Sequence, residues 1–558
     1  MAAEEMKKPR VAVETALYFA LLLFAVLLRF IGLGAVGLSD REAASALQAL
    51  SLSSGSESLI GSQPGYIGLT TGLFALFGGT GFWARFWPAA FGSLLVLVPA
   101  LYRKYLGRMP ALLLAALLVF DPLMVSLSRT AASSMMGITC LLAGLGFLLL
   151  RRPVLASLCW GVFLSAGSEI WPGMAAILLS WFAFRYLFAG ESQTQLDWKK
   201  LLFPGLVLFA LITTQFLLYP NGVSGFGSSL VDYLQSWASK SGIDLGHFLL
   251  EIVLLQLPLM VFGLIAVASG IFKKHKSYWF LATWWGLAFI LVLVNPARNP
   301  SLMGWATIPA LCLTALLLSN YFEHIHFDNR WIGYGQIVFS FLMFTIALLY
   351  LMNVLNFPDT DPVLFRNKVL AVFLPLILLA AVTGLFSWGW NSTAAKHGLL
   401  LTLCTLGVLM MLSNGWKATG WTSPAEMQLW RGEQTVIGDK VLMQEVANLG
   451  RWTHGRADVL KVEIAGLDSP ALDWALRNIN GFEHSEQVNS RTTVEAFITT
   501  PDALITTEAS YRGQEILWST IPDVQAFSAS DWAKWMVYRK APVRSEKIVL
   551  WVRNDLFK

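Results

Sequence analysis

The stretch VAVETALYFALLLFAVLLRFIGLGAVGLSDREAASALQAL, residues 11–50, decides the fold. Its first half is apolar over the roughly 20 residues needed to cross the hydrocarbon core of a bilayer. It follows Lys7, Lys8 and Arg10 and has no small-residue cleavage site before the next polar loop, so it reads as a retained signal anchor. The second half opens on Ser39-Asp40-Arg41-Glu42 and continues with Ala43, Ala46, Leu47 and Leu50 at helical spacing. Two carboxylates therefore stand just beyond the first span, at the start of an amphipathic helix suited to the membrane interface.

The same apolar pattern repeats outward from this stretch. Runs near 12–32, 84–102, 108–127, 135–150, 154–169, 172–189, 200–219, 247–272, 277–294, 301–320, 332–355, 367–387 and 397–412 read as about thirteen transmembrane helices. The chain is 558 residues long, 56% hydrophobic and only 13% charged, which excludes a soluble globular protein of this length. The net charge of +5 lies mostly in connections between spans. With the N-terminus in the cytoplasm, the inner connections carry about 16 basic residues and the outer ones about seven, so the charge is a topology signal rather than a nucleic-acid footprint. An odd span count then places the C-terminal part outside, in a cell (plasma) membrane protein. Cys140, Cys159, Cys312 and Cys404 all fall inside apolar runs and read as small hydrophobes.

Residues 1–416 form the expected membrane domain, with interfacial helices in the first outer loop, 33–83, the second of them over Tyr66 to Phe77. The outer connection from Pro220 to Gly246 carries Gly and Ser, then an amphipathic piece around Val231 to Trp237. Residues 417–558 change character. Val441–Trp452 and Ala471–Ile479 predict helices, and Val459–Ile464, Ala503–Thr507 and Lys547–Val552 predict strands, giving a small extracytoplasmic α/β domain.

Ionisable residues in or near spans are costly unless they are paired or face a polar hollow, which singles out Arg29, Arg85, Asp121, Arg129, Glu169 and Glu251. Asp40 and Glu42 are placed where a membrane enzyme would hold a base. Ser39-x-x-Glu42 is equally a capping box, and Asp40 suits a helix N-terminus electrostatically. Arg129 and Arg298, at outer ends of spans, suit a phosphate at headgroup depth, because a guanidinium stays charged and binds oxygen pairs in a fork; the alternative is snorkelling to lipid headgroups. Glu169, in Gly167-Ser168-Glu169-Ile170-Trp171-Pro172, is either a further carboxylate of the site or a buried partner for an arginine. His324 and His326 beside Glu323 and Asp328 have a metal-like composition but read as a solvated cytoplasmic turn, and no metal site is assigned.

Leu28-Arg29-Phe30-Ile31-Gly32-Leu33 with the acidic motif after it, Gln63-Pro64-Gly65-Tyr66, Ala84-Arg85-Phe86-Trp87-Pro88-Ala89-Ala90-Phe91-Gly92 and Ser128-Arg129 occur in an order that resembles a known family. It is that of the membrane-embedded GT-C glycosyltransferases, in the branch of protein O-mannosyltransferases and the bacterial aminoarabinose transferase of lipid A. The later part, with Asp473-Trp474-Ala475-Leu476-Arg477 and the ending Leu550-Trp551-Val552-Arg553-Asn554-Asp555-Leu556-Phe557, looks like a prokaryotic subgroup described as family 39 transferases or flippase-associated proteins.

The resemblance implies a GT-C-like fold and a sugar donor on polyprenyl phosphate. It implies transfer with inversion on the outer face, to a protein, lipid or glycan acceptor. By it, Glu42 or Asp40 is the base, with Glu169 as a further carboxylate, and Arg129, Arg298 and Arg85 hold the phosphate; metal dependence and oligomeric state are not implied. Three positions depart from the family pattern. Arg41 separates the two acidic residues, Thr130 follows Ser128-Arg129 where an acid is usual, and Gln63-Pro64-Gly65 replaces His-Pro-Pro. The departures leave a second reading: a noncatalytic GT-C-like protein that binds polyprenyl lipids and assists their flipping or surface-glycan assembly. A secondary transporter fits less well, since neither two matching halves nor paired broken spans are visible.

Overall fold

The computed structural model describes residues 10–56, 60–187, 197–239, 244–273, 276–298, 300–323, 330–357, 361–421, 433–487, 494–503, 507–540 and 542–557. Lys7, Lys8, Lys240, Lys274, His324, His326 and Asp328 lie outside them. Each of the thirteen apolar runs contains helix among the described residues. Among the described residues, seven helices are long and apolar enough to cross a membrane, and two bent pairs raise this to nine. Ser134–Leu149, Pro153–Ser165 and Ile170–Arg185 are shorter apolar helices.

Both bends have local causes. Arg108–Phe120 and Pro122–Ser128 meet at 60° where Asp121 accepts a 2.9 Å hydrogen bond from the Met124 amide and Pro122 occupies the first position of the new helix. Leu245–Leu255 and Leu257–Gly270 meet at 86° around Gln256 and Pro258. Arg29, fully buried at the end of α1 (Arg10–Phe30), is held by Ser128 Oγ at 3.1 Å and the Leu118 carbonyl at 3.0 Å, so the hollow expected of it is a packed helix contact.

The loop after α1 folds into α2 (Asp40–Ser53) and α3 (Pro64–Phe77), ahead of the membrane helix α4 (Gly81–Leu95). Ser39 and Glu42 form the capping box that their spacing predicts. Ala43, Ala46 and Ala49 are fully buried, and their small side chains let α2 lie close to α3 and to the helix Pro470–Leu476. The amphipathic piece expected between Pro220 and Gly246 is the helix Ser224–Ser236.

The C-terminal part is a six-stranded mixed sheet in the order β1-β5-β6-β4-β2-β3, comprising β1 (Thr435–Val436), β2 (Val462–Ala465), β3 (Phe482–Ser485), β4 (Ala496–Thr499), β5 (Tyr511–Pro522) and β6 (Val543–Arg553). Strands β2, β3 and β4 pair in parallel and the others antiparallel. The helices at Asp439–His454 and Pro470–Leu476 and the strands β2 and β6 fall where the periodicity puts them. The strand expected at Ala503–Thr507 is not seen: neither end residue is in a strand, and 504–506 lie outside the described residues. The chain pairs instead through β4, whose four residues are all buried and show no alternation, and through β5, whose exposed first half and irregular register at Leu517/Ser519 hide the period. One continuous set of touching buried residues runs from Tyr18 in α1 to Val552 in β6, joining sheet and membrane helices.

Candidate active site

One of the two carboxylates expected to act as base is closed off by its neighbours. Glu42 is 1% exposed. Its Oε1 accepts from Arg85 Nε at 2.8 Å and the Ala131 amide at 2.7 Å, and its Oε2 from Arg85 Nη2 at 2.6 Å and the Ser39 amide at 3.1 Å. Arg85, equally buried, donates further to the carbonyls of Leu33, Val36 and Gly37 at 3.2, 2.7 and 2.8 Å. The pair ties the loop after α1 to α2 and α4, and both charges face each other rather than a cavity.

Arg129 is likewise turned to the backbone. Its Nη1 donates to the carbonyls of Leu28, Arg29 and Ile31 at 3.1, 3.0 and 2.9 Å, and its Nη2 to Gly32 at 3.1 Å. Among the described residues the carbonyls of Leu28, Arg29 and Ile31 have no backbone amide partner, so the guanidinium is a C-terminal cap for α1. Arg129→Lys, which keeps the charge and loses the fork, is expected to lower stability by about 2 kcal/mol, read as a drop in the unfolding midpoint of purified protein.

A cavity of about 900 Å³ opens between α2, the Gly61-Ser62-Gln63 turn, the ends of membrane helices and the C-terminal domain. Asp40, Glu169 and Arg298 line it, whereas Glu42, Arg85 and Arg129 do not. Asp40 is partly engaged there. Its Oδ1 accepts from Ser469 Oγ at 2.6 Å and the Ala471 amide at 3.0 Å, and its Oδ2 accepts from Gln434 Nε2. Asp40 thus supplies, from α2, the N-terminal cap that Ser469 does not give the helix Pro470–Leu476.

Glu169 is held more loosely. Its Oε2 accepts from Ser134 Oγ at 2.5 Å, and its backbone carbonyl accepts from Trp305 Nε1 at 2.9 Å. Among the described residues nothing donates to Oε1. The break that presents Glu169 depends on Gly167, whose φ is +88° and where a Cβ would stand 2.0 Å from the Ser62 carbonyl oxygen. Gly167→Ala is expected to push the two segments apart, costing about 2 kcal/mol or more in stability and lowering any activity that needs Glu169; differential scanning calorimetry and a turnover assay read the two effects. Arg298 sits at φ 40° in a turn pinned by Asn295, whose Oδ1 accepts from the Ala297 amide at 2.9 Å and whose Nδ2 donates to Ser236 Oγ at 3.1 Å.

Several cavity groups carry no sequence signal of their own. Arg41, which separates the expected acidic pair, faces the cavity with its side chain 52% exposed and pairs with Glu433 at 3.3 Å. Burial alone would lower the Arg41 pKa; the Glu169 and Glu433 carboxylates more than offset this and leave it raised. Asp232 and Glu433 bring the lining to four carboxylates, with Asp40 and Glu169, against the two guanidinium groups of Arg41 and Arg298. A clue existed for Arg41 in its adjacency to Asp40. None existed for Glu433, nearly 400 residues away in sequence. Among the described residues no group of three or more His, Cys, Asp and Glu converges as metal ligands.

No family model matches the chain, and no curated protein matches it in sequence. Its structure is similar to the crystal structure of ArnT from Cupriavidus metallidurans bound to undecaprenyl phosphate, with a TM-score of 0.54 at 14% identity over 88% of this chain and 93% of that one. The apo state of the same ArnT matches with a TM-score of 0.54 at 14% identity over 98% and 99% of the two chains. An oligosaccharyltransferase from Archaeoglobus fulgidus overlays more loosely, with a TM-score of 0.38 at 15% identity over 71% of this chain and 57% of that one. The chain is a helical membrane protein with a GT-C-like fold and a small C-terminal sheet domain.

Proposed function

We propose that this GT-C-like membrane protein is a glycosyltransferase, which moves a sugar from a polyprenyl-phosphate donor to an extracytoplasmic protein, lipid or glycan acceptor with inversion. The observation that carries the reading is Glu169: a carboxylate on the wall of a cavity of about 900 Å³, with one oxygen free of donors among the described residues and two guanidinium groups on the same wall. An ArnT of the same fold has been crystallised with undecaprenyl phosphate, which supports a lipid-phosphate donor. The N-terminus is cytoplasmic in this reading, and the domain 417–558 covers the membrane domain 1–416 from outside, in the plasma membrane.

In the transfer step the acceptor hydroxyl oxygen attacks the anomeric carbon while Glu169 Oε1 takes its proton, since a hydroxyl is a weak nucleophile until it is deprotonated. The bond from that carbon to the phosphate oxygen breaks, and its electron pair leaves with the polyprenyl phosphate. Arg41 and Arg298 stabilise the added negative charge, and the anion is stable enough to leave without a general acid. Asp40 keeps the cavity wall in place through the helix Pro470–Leu476, and Glu42, Arg85 and Arg129 hold the scaffold.

The test is transfer of radiolabelled sugar from a panel of polyprenyl-phosphate sugars by the purified protein in lipid. Turnover with one donor that disappears in Glu169→Gln supports the reading. The engagement of both Glu42 and Asp40 in structural contacts favours one alternative, a noncatalytic polyprenyl-lipid-binding protein; lipid-phosphate binding without turnover on any donor would select it.

A further inference from the structure

The cavity wall includes a carboxylate contributed by the C-terminal domain, seated where an anion is wanted. Glu433 Oε1 lies 3.3 Å from Arg41 Nη1, and Oε2 accepts from Ser39 Oγ at 2.8 Å. Ser39 is the N-cap of the 14-residue helix α2. A helix N-terminus, a serine hydroxyl and a guanidinium therefore converge on this one carboxylate, and together they favour negative charge. The Glu433 side chain is 18% exposed and the Arg41 side chain 52%, so the carboxylate rests against the wall while the guanidinium stays open to the cavity.

Other contacts also hold the domain in place. Gln434 donates to Asp40, which also caps the helix Pro470–Leu476. Lys440 Nζ donates to the Ala35 carbonyl at 2.8 Å, and Arg477 Nε to the Gly79 carbonyl at 3.1 Å. The domain stays docked if Glu433 swings off Arg41.

Charge decides what happens when a phosphate arrives. The lining already holds Asp40, Glu169, Asp232 and Glu433 against Arg41 and Arg298. A further anion beside Arg41 would sit within a few ångströms of the Glu433 carboxylate, and like charges at that distance in a partly solvated cavity repel by about 1 kcal/mol or more. Resting on the donor reading above, we infer that Glu433 is the resident counter-ion of Arg41, displaced by the phosphate of the incoming polyprenyl lipid. The C-terminal domain competes with the donor for one cation and keeps that cation ordered while the cavity is empty.

The experiment measures binding of undecaprenyl phosphate and of uncharged undecaprenol to the full chain in nanodiscs. Glu433→Gln, close in shape to the native side chain, is expected to bind undecaprenyl phosphate about tenfold tighter, with undecaprenol unchanged. Glu433→Asp keeps the charge and is expected to gain less than about threefold, and in an Arg41→Gln background the Glu433→Gln gain is expected to vanish. Unchanged or weaker phosphate binding in Glu433→Gln, in a protein that still prefers the phosphate lipid to the alcohol, overturns the exchange and leaves the donor reading standing. A wild type that binds both lipids equally overturns the two together.

Discussion

Glu169→Gln is expected to lower the turnover number for sugar transfer by a factor of about 100 to 10,000 without weakening the binding of undecaprenyl phosphate. The amide can still accept from Ser134 Oγ, which donates at 2.5 Å to the native carboxylate, so the local packing survives. What is lost is an oxygen able to take a proton. The base pulls in the transition state and is idle in the donor complex, so the loss falls on the chemical step. Asp40→Asn is the control within the same cavity. Its side-chain oxygen can still cap the helix Pro470–Leu476 and accept from Ser469, though the amide nitrogen no longer accepts from Gln434. Its expected effect is therefore looser docking of the C-terminal domain, visible as faster hydrogen exchange across 469–476. If turnover collapses in Asp40→Asn and survives in Glu169→Gln, the base is Asp40 and the proton-transfer assignment moves to it.

Removing either half of the Glu42–Arg85 pair is expected to cost about 3–5 kcal/mol of stability, because the partner left behind is a buried charge without a counter-ion. Each side chain is 1% exposed, and the guanidinium meets the carboxylate through two hydrogen bonds of 2.8 and 2.6 Å. Glu42→Ala would also leave the Ser39 and Ala131 amides without acceptors, undoing the start of α2 and its link to the segment after Arg129. The measurement is the folded yield and unfolding midpoint of Glu42→Ala, Arg85→Ala and the double variant. The double variant should fall well short of the sum of the singles, as expected for two groups in contact. Single variants with wild-type stability but no sugar transfer would reverse this and give Glu42 a chemical role.

Periodicity exposed the membrane helices because the pattern that marks them is local: about 20 apolar residues and a polar break carry their meaning wherever they pack. The amphipathic helix after α1 was visible for the same reason, down to the capping box of Ser39 and Glu42. The short strands were less visible. Strand β4 is buried on both faces and β5 is half exposed, so neither alternates as a sheet with one wet face does.

Side-chain roles were beyond the reach of spacing. Glu42 and Asp40 stand two residues apart on one helix, yet one is sealed against Arg85 and the other caps a helix more than 400 residues later. Arg129 and Arg298 both follow the ends of apolar runs, yet one caps α1 and the other lines the cavity.

By itself the sequence determined that the chain lives in a membrane, where the amphipathic helix after α1 begins, which ionisable residues needed partners, and that a sheet domain follows. The tertiary structure alone decided which partner each charge received. A charge in a low-dielectric interior is stabilised by whatever donors and counter-ions come within a few ångströms, and those arrive from distant parts of the chain: Glu42 from Arg85 and Ala131, Asp40 from Ser469 and Ala471, Arg41 from Glu433.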